Sequence, residues 1–273
     1  MAIKTLELDY IRSLVREKAA IIVDSDKGYL VESRLLPLAR KEGFATLDDF
    51  ITKLRTAPYN VMHRKVVDAM TTNETSFFRD VHPFESLKTE ILPKMIEARA
   101  KVRQLSFWCG ASSTGQEPYS ICMLMREHFP QLATWKIDFL ATDLSRDVLD
   151  KARAGKFSQL EVNRGLPAPM LLKYFARQGV EWQIKDEVRS LMTFREQNLM
   201  ETWNIPYGLD IVFLRNVMIY FDVETKKQIL GNIRRHLKPD GYLFLGGAET
   251  TLNLDDKFER VRFDKTWCYR PLA

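Results

Sequence analysis

The chain is poor in cysteine, and the three it has, Cys109, Cys122 and Cys268, form no Cys-x-x-Cys pair. An odd set without paired spacing excludes a disulfide framework and a zinc ribbon; the three read as reduced, buried thiols of a cytosolic protein. No apolar run reaches the roughly 20 residues that cross a bilayer. The opening MAIKTLELDYIRSL is amphipathic and carries acids early, unlike a signal peptide. Neither charge sign dominates: 41 basic residues stand against 36 acidic ones, a net +5. No Lys/Arg run is long enough for a nucleic-acid arm, so the mild surplus points weakly to an acidic partner and no further. The dinucleotide fingerprint G-x-G-x-x-G and the lysine of a phosphate-binding loop are missing as well. There is no internal repeat and no low-complexity segment.

What is present is an ordinary globular composition, 45% hydrophobic and 28% charged over 273 residues. That suits one large domain, or a small one joined to a larger one. Residues 1–72 read as a small bundle of helices. LELDYIRSLVREKAAI places Leu6, Tyr10, Leu14 and Val15 on one helix face. DKGYLVESRLLPLARKEGF, TLDDFITKLRTAP and NVMHRKVVDAM follow. Thr46 and Asp49 are spaced as a capping box, and Gly43 and Pro58 punctuate. From 73 to 273 the pattern becomes α/β. HPFESLKTEILPKMIEARA reads as a helix, QLSFWCG as a strand, EPYSICMLMREHF as a helix and WKIDFLATD as a strand. RDVLDKARAG is a helix, LDIVFLRNVMIYF a strand, TKKQILGNIRRHLKPDG a helix, YLFLGG a strand and KFERVRFDKTWCYRP a closing hairpin. This alternation predicts a doubly wound parallel sheet flanked by helices. Residues 166–195 interrupt it, and WQIKDEVRSLMTF reads as a small antiparallel strand pair inserted there.

Doubly wound sheets bind ligands at the carboxyl ends of their strands, near the switch point. The first such end, Trp108-Cys-Gly-Ala-Ser-Ser-Thr-Gly115, is made of small residues that let a ligand approach the backbone, and a helix with free N–H groups follows. Without the glycine fingerprint, the ligand reads as a nucleoside lacking a pyrophosphate. Glu117 lies just past the loop, where a carboxylate meets an amine. Asp143 closes the next strand, where an acid accepts both ribose hydroxyls; a helix N-cap is the commoner use of such an acid. Gln197-Asn198-Leu199 and Leu214-Arg-Asn-Val-Met-Ile-Tyr220 mark two further ends. Small-residue loop, ribose-type acid and late LKPDG, in that order, suggest an S-adenosylmethionine (SAM) methyltransferase.

TTNETSFFR (71–79), WCGASSTGQEPYSI, ARAGKF, RGLP, KYF, FREQNL, FLRNVMIYF and LKPDGYLFLGG together resemble the CheR family of chemoreceptor glutamate methyltransferases, over nearly the whole chain. The resemblance implies a small all-helical N-terminal domain followed by a Rossmann-like SAM-methyltransferase sheet with a small antiparallel β insertion. It departs from the family at Gly110-Ala111-Ser112, at Gln116 where Glu is usual, and at GGAET (246–250) where Gly-His-Ser-Glu is typical. These departures leave room for a change in cofactor affinity.

By resemblance, Asn73, Thr75 and Arg79 line the cofactor site, with Phe77 and Phe78 anchoring the stretch; a capped helix start with Arg79 in a surface ion pair is the alternative. Glu117 and Asp143 would hold the amino group and the ribose, Asn198 and Leu199 would flank the adenine, and Arg215 and Asn216 would contact the cofactor. For Arg215 a structural ion pair stays open, and for Tyr220 a core position. The implied reaction moves a methyl from SAM to a receptor glutamate, giving a glutamyl methyl ester and S-adenosyl-L-homocysteine (SAH), with no metal. A glutamate is already ionised at neutral pH, so the reaction needs positioning, for which Arg79 and Tyr220 are the candidates. Lys27, Arg34, Arg40 and Lys41 could form a basic face for acidic methylation helices, or a solvated one. The short connection RQGVEWQ argues against capture of a receptor tail. The chain is expected to be cytoplasmic, monomeric, not membrane-inserted and free of nucleic acid. The competing readings are a SAM-binding module without turnover, a methyltransferase of small molecules or nucleic acid, and a NAD-dependent oxidoreductase.

Overall fold

A computed structural model describes residues 3–263 and 265–272. Two compact units emerge: the chain up to Thr72 with Asn198–Thr202 and Tyr220–Thr225, and Asn73–Gln197 with Trp203–Ile219 and the chain from Lys226 on.

The first unit holds α1 (Thr5–Ala19), α2 (Gly28–Lys41), α3 (Leu47–Thr56) and α4 (Val61–Met70). In α1 the buried face is Leu8, Ile11, Leu14 and Val15, while Leu6 is exposed and Tyr10 half-buried. The expected face is therefore rotated: Leu8, Ile11 and Val15 follow the i, i+3, i+7 spacing better than Leu6 and Tyr10 do. Thr46 caps α3, its hydroxyl oxygen accepting from the Asp49 N–H at 3.1 Å and donating to Asp49 Oδ2 at 2.6 Å, as the spacing predicts. Asn60 caps α4 in the same way through the Met62 N–H at 2.9 Å.

The second unit is built on β1 (Gln104–Gly110), β2 (Lys136–Asp143), β3 (Lys156–Ser158), β4 (Phe175–Gln178), β5 (Glu181–Ile184), β6 (Thr193–Glu196), β7 (Leu209–Leu214), β8 (Leu237–Phe244), β9 (Phe258–Phe263) and β10 (Thr266–Pro271). The main sheet runs β6-β2-β1-β7-β8-β10-β9. Its first five strands are parallel, and β10 and β9 are antiparallel. Chain order reverses between β1 and β7, which makes that crevice the switch point. β1, β2 and β7 are buried at their carboxyl ends, as apolar runs in a doubly covered parallel sheet should be. Phe107 stacks on its register partner Phe139, and Phe213 on Phe244, at 5.2 and 4.3 Å between centroids.

Three details depart from the sequence expectation. WQIKDEVRSLMTF does not form one inserted strand pair. β5 pairs with β3 and β4 in a separate antiparallel sheet, whereas β6 joins the main sheet beside β2. The helix over 82–99 is broken by a π-helical turn at Leu87–Ile91, where Leu92 N–H reaches back to the Leu87 carbonyl. Pro93, next in the chain, has no N–H to continue the ladder, which favours such a break. The helix Val223–His236 stops before LKPDG, which opens β8 instead. There the register jumps from Leu209↔Leu237 to Ile211↔Tyr242, placing Pro239 where no ladder N–H is required.

β9 is a free edge of the sheet. Its Arg260 and Arg262 are exposed and lie 3.6 and 5.6 Å from the centroid of the Trp267 ring on β10.

Candidate active site

The stretch 73–81 is held by non-local contacts. Phe77 is fully buried and meets Phe157 and Phe175 edge-on at 5.1 and 5.7 Å. The Phe77 carbonyl lies over Gly165, where a Cβ would stand 2.0 Å away. Arg164 pairs with Glu74 at 2.8 Å. Phe78 N–H donates to Ser120 Oγ at 2.9 Å. Beyond Phe77 the backbone is left-handed at Phe78, Asp80 and Val81, a conformation that costs about 1–3 kcal/mol at each non-glycine residue. Arg79 is half-buried, and its guanidinium donates to the Glu74 carbonyl at 3.0 Å, within its own turn. Asn73 and Thr75 are half-buried in the same stretch.

The loop after β1 meets this stretch directly. Ser113 Oγ donates to the Asn73 carbonyl at 2.8 Å, and Ser113 N–H donates to Asp143 Oδ2 at 2.8 Å. Asp143 Oδ1 accepts from Ser145 N–H at 3.0 Å. With Leu144 N–H also directed at the carboxylate, Asp143 is held by the backbone of both loops. Burial pushes the Asp143 carboxyl above its ordinary range, while the N–H groups of Ser145 and Ser113 pull it back down. Ala111 and Ser113 are also left-handed. Ser112 is buried, and its hydroxyl has no partner among the described residues. A buried orphan hydroxyl beside a buried acid suits a polar ligand such as the SAM nucleoside.

Arg215, at the end of β7, is the centre of a buried network. Its guanidinium bonds Glu117 Oε2 at 2.5 Å, Asp80 Oδ2 at 2.6 Å and the Arg79 carbonyl at 3.1 Å. Its side chain is 1% exposed. Among the described residues Glu117 Oε1 accepts only the Cys109 thiol, at 3.2 Å. Burial, then the Glu117 charge, pushes that thiol up. The arrangement ties Arg215 to the backbone of the TTNETSFFR stretch and leaves one Glu117 oxygen lightly engaged.

Sequence reasoning missed Glu249. It is buried, and its carboxylate accepts four backbone N–H groups: Gly246 at 2.6 Å, Asn216 and Val217 at 2.9 Å, and Met218 at 2.7 Å. It shapes the loop that carries Asn216, itself left-handed at φ 58. Its place as the Glu of GGAET is the one signal that could have marked it. Arg164 and Gly165, in RGLP, also act on the stretch 73–81, through Glu74 and the Phe77 carbonyl.

Asn73, Thr75, Arg79, Glu117, Asp143, Arg215 and Asn216 fall in the sheet unit. Asn198, Leu199 and Tyr220 fall in the helical unit. There Asn198 Nδ2 donates to the Lys18 carbonyl at 2.7 Å and its Oδ1 accepts from Met200 N–H at 3.0 Å, while the Tyr220 carbonyl accepts from Ile22 N–H at 3.1 Å. Of the basic residues on and before α2, Arg34 is engaged with the Met70 and Thr71 carbonyls and Thr72 Oγ1 at 2.5–3.0 Å. Lys27 pairs with Asp24 at 2.6 Å, and Arg40 and Lys41 are exposed.

A doubly wound sheet, a small-residue loop at its switch point without a pyrophosphate fingerprint, and an acid closing the neighbouring strand define the class of SAM-dependent methyltransferases. Residues 73–267 match the family described as CheR methyltransferase, SAM binding domain, and residues 6–71 match CheR methyltransferase, all-alpha domain. The chain is 39% identical to chemotaxis protein methyltransferase 1 of Pseudomonas aeruginosa, covering 99% of both chains. It is 38% identical to chemotaxis protein methyltransferase Cher2 of Pseudomonas putida, covering 96% of both. Among solved structures, the glycopeptide N-methyltransferase MtfA complexed with SAM matches 74% of this chain and 61% of its own, at 14% identity and a TM-score of 0.38. The chain belongs to the CheR methyltransferase family.

Proposed function

We propose that this chain methylates glutamate side chains on the cytoplasmic methylation helices of chemoreceptors, serving adaptation in chemotaxis or related signalling. The observation that carries the reading is the Asn73–Ser113–Asp143 junction, a buried loop with an orphan hydroxyl and a carboxylate, in a chain that matches the CheR family over both of its domains. SAM, when bound, supplies an electrophilic methyl group. Asp143 accepts from the ribose hydroxyls, and Ser112 supplies a hydroxyl at the same loop. Glu117 Oε1, engaged among the described residues only by a thiol, accepts from the amino group. Arg215 neutralises Glu117 and fixes the backbone of Arg79. Asn198 and Leu199 flank the adenine, and Asn216, Asn73 and Thr75 complete the cofactor wall.

The receptor carboxylate is ionised at neutral pH without a base, since its ordinary pKa is about 4.3. The remaining task is to hold one oxygen in line with the methyl and to keep water from solvating it. Arg79 orients that carboxylate through the other edge of its planar guanidinium, because among the described residues only Nη1 is engaged, with the Glu74 carbonyl. Tyr220 supplies a phenol wall at the methyl. Exposed Arg40 and Lys41, with Arg34 on α2 and Lys27 just before it, attract the acidic receptor helix. No helix among the described residues is long and apolar enough to cross a membrane. The chain works as a monomer in the cytoplasm.

The test is transfer from radiolabelled SAM to chemoreceptor-containing membranes, followed by mild alkali. Label on the receptor that leaves as methanol supports a carboxyl methyl ester. Label stable to alkali, or SAH binding without transfer across a panel of receptors, overturns the reading.

A further inference from the structure

The loop shaped by Glu249 runs on into a small cavity that no role above uses. Met218, Ile219, Lys226, Glu249, Thr250 and Leu254 are among the residues that line a volume of about 80 Å³. That is too small for a nucleoside and suits a short side chain. Lys226 is half-buried, and it makes no hydrogen bond or ion pair among the described residues. It is the fourth residue of the helix Val223–His236, where the positive end of the helix dipole disfavours a cation. A half-buried lysine in that position is complementary to an anion. Glu249 does not serve as that anion: it forms no ion pair with Lys226, and its two oxygens are taken by four backbone N–H groups. Thr250 Oγ1 accepts from Leu252 N–H at 3.1 Å, which leaves its hydroxyl hydrogen to donate. The cavity therefore offers an ammonium and a hydroxyl at its polar side and Met218, Ile219 and Leu254 as apolar walls. A carboxylate on a short aliphatic stem matches both.

We infer that this cavity is a substrate subsite for an acidic side chain of the receptor segment, adjacent to the glutamate that is methylated, with Lys226 as its counter-charge. The inference rests on the reading of the chain as a receptor methyltransferase. The cavity continues the loop that carries Asn216, so its occupant would set which glutamate is presented.

The experiment is steady-state transfer from radiolabelled SAM to a soluble cytoplasmic receptor fragment, with SAH affinity measured by calorimetry on the same enzyme samples. In Lys226→Glu the KM for the fragment should rise about tenfold or more, as expected when a charge-assisted contact is reversed, with kcat and SAH affinity within about twofold of wild type. Lys226→Arg should stay near the wild-type KM. A receptor fragment with the flanking acid changed to Lys should recover the low KM with Lys226→Glu. An unchanged KM in Lys226→Glu, or a KM change matched by a loss of SAH affinity, overturns the subsite while leaving the methyltransferase reading intact. No transfer by the wild-type chain to any fragment overturns that reading and the subsite with it.

Discussion

Replacing Gly165 by alanine tests whether the TTNETSFFR stretch depends on a distant glycine. Gly165 has φ +83, and an added Cβ would sit 2.0 Å from the Phe77 carbonyl oxygen. A left-handed alanine costs about 1–2 kcal/mol. Relieving the clash requires the Phe77 backbone to move, and overpacking of this kind costs about 1–3 kcal/mol more. Gly179→Ala is the control: the same hand, φ +62, with nothing within 4 Å of the new Cβ. Thermal unfolding should therefore place Gly165→Ala below Gly179→Ala by about 1–3 kcal/mol, roughly 2–4 °C in Tm for each kcal/mol in a unit of this size. Because Phe77 lies four residues from Asn73, whose carbonyl receives Ser113, SAH affinity should fall in the Gly165 variant and not in the control. Equal Tm values and equal SAH affinities would refute the claim that Gly165 seats the stretch.

Asp143 has its carboxyl raised by burial, so its ionised form opposes folding: the stabilising contribution is full below the ordinary carboxylate range and is lost as pH rises through the folded pKa. Ribose binding needs the ionised form, so SAH affinity should drop on acidification with a midpoint above 3.8; a midpoint at or below that value refutes the assignment. Glu249→Gln should leave two of its four N–H partners facing an amide NH2, losing about 2–6 kcal/mol at about 1–3 per unsatisfied donor. Denaturant unfolding checks this, and calorimetry should show weaker SAH binding through the displaced Asn216. All three thiols are buried, and burial pushes Cys268 up to about 12; a thiol-specific dye should label none in the native protein and three after denaturation.

The parts of the fold legible in the sequence are those set by local pattern. Alternating strands and helices, the Thr46 cap and the apolar runs of β1, β2 and β7 follow from periodicity and turn chemistry. β6 was not legible in its place because a four-residue strand, exposed at Thr193 and half-buried over the next three residues, carries no signal of which sheet it joins. The π-helical turn hides inside a helical pattern that Pro93 alone disturbs. In the site, Asp143 and the small-residue loop announce themselves at strand ends. Glu249 and Gly165 do not, since their partners lie 31–33 residues away for the β7 loop and far back along the chain at Phe77. Arg215 was readable as a functional arginine or a structural one; the network shows it bonded to Glu117 and Asp80.

The last strand of the sheet has a consequence for how the protein behaves in a crowded solution. Among the described residues no strand pairs with the outer side of β9, which makes it a template on which a second copy could add its own strand. Arg260 and Arg262 lie over the Trp267 ring, and any copy that docked there would have to meet two positive charges. Neutralising both would leave the enzyme's chemistry in place and turn its open flank into a seed for aggregation.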